Sequence, residues 1–295
     1  MTHTGHPAAT TVHAVAGYAS ILVPLDGSEL AERALGPARE LALRFGAGLH
    51  VVTAGVGRED IWWYERYLDR IREQVPGVAV HVSSVPDAAD GIIATARAEG
   101  SCLVCLSTHG RARSAAITGS TFAAVAKRIG HPLVAVGPRV LIGGNDQSAG
   151  RIVACLDGGP LAERVLPTVA AWAHRFDLRV SLVTAADPVL LRSRLARERA
   201  EATRPYGHHG DPMAYLHAAA ALPVLAGLDV DTEVLWGLAH PHIAIGEHLD
   251  RHPALLVAAT THARTGLTRM ALGSNVARIV HRVPVPVLVE PPGRP

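Results

Sequence analysis

The sequence predicts an α/β protein built from two repeats of one domain, each a five-stranded parallel sheet with helices on both faces. Three observations carry this. The chain repeats itself at a fixed offset, short apolar runs alternate with helical stripes, and 295 residues suit two cores better than one. The repeat is the strongest of the three. Residues 25–54 and 156–185 align without a gap at an offset of 131 and share 14 of 30 residues. Among these are Leu25-Asp26-Gly27 with Leu156-Asp157-Gly158, and Leu30-Ala31-Glu32-Arg33 with Leu161-Ala162-Glu163-Arg164. A later block pairs Thr108-His109-Gly110-Arg111 with Thr261-His262-Ala263-Arg264, and Gly119-Ser120 with Gly273-Ser274.

In the first copy, residues 21–25 read as a buried strand, and 30–45 carry an apolar helical stripe that Pro37 interrupts. A strand at 49–54, a helix at 60–74, a strand at 78–82 and a helix at 88–98 follow. A fourth strand at 102–106, a helix from Gly119-Ser120 over 120–129 and a fifth strand at 133–136 complete the unit. The second copy places its strands near 151–155, 178–184, 228–235, 254–258 and 285–289. Strict alternation with uninterrupted apolar strands is the pattern of a parallel sheet covered on both faces. The expected boundaries are a loose tail at 1–18, a domain at 19–139, a glycine-containing linker at 140–150 and a domain at 151–292.

Composition excludes several functions. Twenty-eight basic residues stand against twenty-six acidic ones with no basic stripe, so no nucleic-acid partner is expected. The tail lacks the charged and apolar regions of a secretory signal. The longest apolar stretch, 216–228, holds Pro223 and is shorter than the ~18 residues of a membrane span. A cytoplasmic protein without membrane contact is the expectation. Cys102, Cys105 and Cys155 sit in apolar strand runs, and residues three apart in a strand face opposite ways, so they read as core thiols.

In a doubly wound sheet, ligands bind beyond the carboxyl ends of the strands, where strand order reverses. Asp26 and Asp157 follow the first strand of each copy, where they can cap the next helix, contact a ligand, or both. The loop from Ser107 through Gly110 to Gly119-Ser120 opens directly onto a helix, whose N–H groups and dipole suit an anion.

With Val23-Pro24-Leu25-Asp26-Gly27-Ser28, Thr108-His109-Gly110-Arg111, Gly119-Ser120 and the closing 131–136 run, the chain resembles the universal stress protein family, in both halves. The resemblance implies strand order 3-2-1-4-5 and pairing of the fifth strands, 133–136 with 284–289, so that the halves form an internal pseudo-dimer, with a homodimer left open. It also implies a stress-linked binding role rather than an enzymatic one. The ligand would be an adenine nucleotide such as ATP, with Mg2+ only if ATP is bound.

Family members that bind ATP carry Gly-x2-Gly-x9-Gly-Ser/Thr. The matching positions in the first copy are Asp26, Ala54, Ser107, Gly110, Gly119 and Ser120; in the second they are Asp157, Ala185, Gly273 and Ser274. The pattern is incomplete in both. Ser107 and Thr260 replace the first glycine, the first copy is one residue short between Gly110 and Gly119, and Ala263 replaces the middle glycine of the second. The first pocket is therefore expected to be the better binder. The alternative is a structural or protein-interaction module whose pockets are vestigial.

No catalytic constellation is present: Ser28, Ser107 and Ser120 lack a nucleophile-elbow context, and there is no P-loop. Among seventeen histidines, the His208-His209 and His240/His242 groups lack metal-ligand spacing, so no metal is expected. His109 and His262 are expected to bond the loop backbone, with ligand contact as the second reading. Trp62, Trp63, Tyr64 and Tyr67 are expected to pack between the halves or across a dimer, with base stacking as the minority reading.

Overall fold

The computed structural model describes residues 17–55, 61–109, 120–140, 150–189, 210–237, 240–261 and 274–291, with the backbone alone for Ile61, Ser120 and Ser274. The first half runs β1 (Ser20–Pro24), α1 (Glu29–Glu32), α2 (Leu35–Phe45), β2 (Gly48–Ala54), α3 (Ile61–Gln74) and β3 (Ala79–Ser83). It continues with α4 (Ala88–Ala98), β4 (Cys102–Ser107), α5 (Ser120–Arg128) and β5 (Leu133–Val136). The second half runs β6 (Arg151–Cys155), a short 3-10 turn (Ala162–Val165), α6 (Leu166–Phe176), β7 (Arg179–Ala186), α7 (Pro212–Ala220) and β8 (Val230–Trp236). It ends with α8 (Pro241–Arg251), β9 (Leu256–Thr260), α9 (Ser274–Arg282) and β10 (Val287–Glu290).

The single helix expected over 30–45 is two. Pro37 has no N–H to give the carbonyl four residues back and its ring crowds that carbonyl, so the helix breaks at 33–34 and Pro37 lies in the first turn of α2. Strand ends in the second half lie up to two residues beyond those expected, as β9 and β10 do.

One ten-stranded sheet has the order β3-β2-β1-β4-β5-β10-β9-β6-β7-β8. Pairs within each half are parallel. The seam between β5 and β10 is antiparallel, with Val287 opposite Ala135 and Val289 opposite Leu133. In each half the strand order reverses between the first and fourth strands, which opens a crevice beyond Leu25 and beyond Leu156.

Alternate strand residues feed two cores. Ile21, Val23, Leu103 and Cys105 face the side covered by α2, α3, α6 and α7. Leu22, Cys102, Val104 and Val153 face the side covered by α4, α5, α8 and α9. Cys102 and Cys105 thus point to opposite faces, and burial raises the pKa of both thiols.

The halves meet in a ring cluster on the first face. Tyr18 packs edge-on to Phe45 at 5.0 Å, and Phe45 meets Trp172 at 5.1 Å and Phe176 at 4.7 Å. Arg175 covers Phe45 and donates to its carbonyl oxygen at 2.8 Å. Tyr18 therefore belongs to the core and not to a loose tail, and Val140, expected in the linker, is buried as well. The aromatic residues of α3 do not fill this role: Trp62 is 64% exposed and Trp63 39%, and Trp63 stacks on Tyr67 of its own helix. On the opposite face, Gly137 after β5 lies so close to α9 that a Cβ there would overlap the Val280 carbonyl oxygen.

Candidate functional site

Each crevice starts from one repeated turn. The backbone N–H of Leu25 is bonded to the Val52 carbonyl at 2.8 Å, and that of Leu156 to the Val183 carbonyl at 2.9 Å. The chain then leaves the sheet through Asp26-Gly27 or Asp157-Gly158. Gly27 has φ +82° and Gly158 φ +86°, a left-handed conformation that admits glycine with little strain. This accounts for the repeated Asp-Gly pair.

Asp26 is half-buried. Its Oδ1 accepts from the Ser28 backbone N–H at 3.0 Å and from the Ser28 hydroxyl at 2.6 Å. Ser28 in turn accepts from Ala31 N–H at 3.2 Å and caps α1. Asp26 thus orients the cap rather than capping directly. Asp157 makes the corresponding turn by accepting from Gly159 N–H at 3.0 Å.

A buried tyrosine and a glutamate lie within electrostatic reach of each turn. Burial raises the Tyr67 pKa well above the usual phenol range, and Glu32 and then Asp26 add to the effect. Tyr215 is raised in the same way by burial, by Glu163 and by Asp157. An Asp-Glu-Tyr group therefore recurs at both turns. Sequence reasoning passed over Glu32, Glu163 and Tyr215, although both glutamates lie within the repeated Leu-Ala-Glu-Arg block.

Ala54 and Ala185 are half-buried at or near the ends of β2 and β7, beside the turns. Gly91 of α4 packs against this corner, where a Cβ would come within 2.9 Å of the Ala54 methyl. Ser107 ends β4, and its hydroxyl accepts from His109 N–H at 3.3 Å. Thr260 ends β9 at 5% exposure, and its hydroxyl donates to the Ala162 carbonyl at 3.2 Å. The threonine side chain is thus tied to the backbone of the turn that follows Asp157, a contact that a glycine could not make.

The His109 ring lies 3.0 Å from the Thr108 hydroxyl and 5.5 Å from the His281 ring of the other half. Among the described residues its partner is the Thr108 side chain; the loop backbone at 110–119, expected from sequence to bond it, lies outside the described residues. Burial, and then His281, lower its pKa. The backbones of Ser120 and Ser274 open α5 and α9. Gly110, Gly119, His262, Ala263 and Gly273 lie outside the described residues.

A cleft of about 620 Å³, lined by residues including Arg151, His174, Arg179 and Asp229, lies at the opposite end of the second half and is not this site. No helix among the described residues is long and apolar enough to cross a membrane.

A solved universal stress protein from Archaeoglobus fulgidus aligns with 93% of this chain and 96% of its own, with TM-score 0.65 and 18% identity. A protein of unknown function from Pseudomonas aeruginosa PAO1 covers 95% and 94%, with TM-score 0.59 and 18% identity. A putative universal stress protein from Pseudomonas aeruginosa UCBPP-PA14 covers 94% and 94%, with TM-score 0.57 and 18% identity. At such identity the likeness is one of fold. No curated protein matches the chain. A model of the universal stress protein family matches residues 149–291, the span that begins just before β6 and ends after β10, so the second half of the chain is a universal stress protein domain.

Proposed function

We propose that the whole chain is a tandem universal stress protein, with domains at 19–139 and 151–292, that binds an adenine nucleotide in a stress-linked regulatory role without catalysing a reaction. The observation that carries this reading is the Asp-Gly turn with its Glu and Tyr partners, present at the point of strand reversal in both halves. In the first half, Asp26, Ala54, Ser107, Gly110, Gly119 and Ser120 would line the pocket. A helix N-terminus would receive the phosphates, with Mg2+ entering only with ATP.

The first pocket should be the tighter one, because Thr260 brings a bulkier side chain to the second than Ser107 brings to the first, and Ala263 would place a methyl group where the motif's glycine lets the backbone approach. The same two residues favour the second reading for the second half, a vestigial pocket kept for its packing. Thermal-shift measurements with ATP, ADP, AMP and cyclic AMP test the proposal. At least one should raise the melting temperature. Replacing Gly110 with a bulky residue should abolish that rise, while the same change at Ala263 should alter it little. No shift with any nucleotide, or equal losses from the two substitutions, would refute this reading.

A further inference from the structure

At the other end of the first half, three side chains far apart in sequence converge. His50 is the third residue of β2, His81 the third of β3, and Glu99 the C-cap of α4. In the parallel register His50 lies opposite Ala79 and His81 opposite Val52, so both rings project from the same sheet face on neighbouring strands. Glu99 reaches them because α4 runs back across that face and ends beneath them. The group lies four residues before Ala54 along β2, roughly 13 Å from the crevice.

The distances among the three donors carry the argument. His50 Nδ1 is 3.0 Å from His81 Nε2 and 3.2 Å from a Glu99 carboxylate oxygen, and His81 Nε2 is 3.6 Å from the other. A tetrahedral site with metal–nitrogen bonds of about 2.0–2.1 Å has edges of roughly 3.3–3.4 Å. The nitrogen pair at 3.0 Å and the nearest oxygen of each nitrogen, at 3.2 and 3.6 Å on the two sides of the carboxylate, lie near that value, so a small turn of the Glu99 carboxylate would present one oxygen to both rings. A proton on one of the facing nitrogens can bridge it to the other ring or to the carboxylate, whereas a divalent cation draws both nitrogens and a carboxylate oxygen at once. The rings stack at 5.2 Å, and Gly48 gives His50 its room, since a Cβ there would sit 3.0 Å from Nε2. Side-chain exposures of 18%, 30% and 23% leave an entry path and an open fourth position.

The same place in the second half is also built from histidine and glutamate. Glu233 lies opposite Val183 of β7 as His81 lies opposite Val52, and His252 is the C-cap of α8 as Glu99 is of α4. His248, four residues before His252, reaches Glu233 at 3.0 Å; the sequence reading missed this spacing. This second group is less suited to a cation. Arg251 lies 3.3 Å from the other Glu233 oxygen, and His252 stands off at 4.0 Å.

We propose that His50, His81 and Glu99 form a binding site for one divalent transition-metal ion of the zinc class, held by two imidazole nitrogens and one carboxylate. The site is independent of the nucleotide reading. Two imidazoles and a single carboxylate favour a borderline ion over Mg2+ or Ca2+, which take oxygen ligands.

The test is titration of the full-length, chelator-stripped protein with Co2+ alone as a spectroscopic probe, followed by displacement with Zn2+. The expected result is a visible d–d band of low-symmetry four- or five-coordinate Co2+ that saturates at one equivalent and is lost on adding Zn2+. Glu99→Gln and His81→Asn should each weaken Co2+ binding by tenfold or more, while Glu233→Gln leaves it unchanged. Glu99→Gln keeps the side-chain shape at a partly exposed position, so it decides the matter should the His81 variant fail to fold. Unchanged binding in Glu99→Gln, or loss in Glu233→Gln instead, would overturn the assignment.

Discussion

Glu290 ends β10 with 7% exposure, at the place in its half where the first half has Val136. Burial raises its pKa from 4.5 to about 7, while a hydrogen bond from the Thr168 hydroxyl at 3.0 Å and then the Arg164 charge act in the opposite direction. An acid whose folded pKa lies above its unfolded value keeps a proton in the folded state that the unfolded chain has already released. Stability therefore falls as pH rises through the window from 4.5 to about 7, and the full cost is present above it. The difference corresponds to about 3 kcal/mol. Glu290→Gln keeps an acceptor for Thr168 and removes the charge. Urea denaturation of both proteins at pH 5 and pH 8 isolates this group, because the other titrating residues cancel in the difference. The variant should gain about 3 kcal/mol over the parent at pH 8 and much less at pH 5. A difference between the two proteins that is the same at both pH values would refute the assignment of a proton to folded Glu290.

Two further predictions concern the joint between the halves. Trp172→Ala should cost about 3–5 kcal/mol in denaturant melts, because it empties the ring cluster, while Trp62→Ala on exposed surface should cost under about 0.5 kcal/mol. Gly137→Ala should lower stability by about 1–3 kcal/mol, because its methyl group meets the fixed Val280 carbonyl; an unchanged melting temperature would show that the approach of α9 is not tight.

The central strands were legible because they are runs of Val, Ile, Leu or Ala bounded by turns, as at Val153 and Val257, whereas the edge strands β3 and β8 carry polar residues such as His81 and Glu233. The helix over 30–45 was legible in its apolar stripe but not in its break, since the stripe continues across 33–34 and only Pro37 marks the interruption. The Asp26 and Asp157 turns could be found because one rigid local geometry was duplicated in the same residues. Tyr67 was noted only as part of an aromatic group, and Tyr215 not at all, because the helices that carry them have diverged and nothing local ties either tyrosine to an aspartate on another element. The His50, His81 and Glu99 group was invisible for the same reason: strand register and a helix end bring it together, and neither appears as spacing along the chain. The ring cluster of Tyr18, Phe45, Trp172 and Phe176 depends on how one half meets the other, which the internal pattern of either half does not encode.

The antiparallel seam has a consequence for how the assembly responds to concentration. Val134 and Leu288 face each other across β5 and β10, and both strands belong to one polypeptide. Their encounter is intramolecular, so the joint should persist at dilutions that would separate two independent subunits. A folded chain also has neither strand free to recruit a foreign edge. Among the described strands, only β3 and β8 remain as sheet edges for pairing with another molecule, and the covalent link keeps the two halves a pair in every copy of the protein.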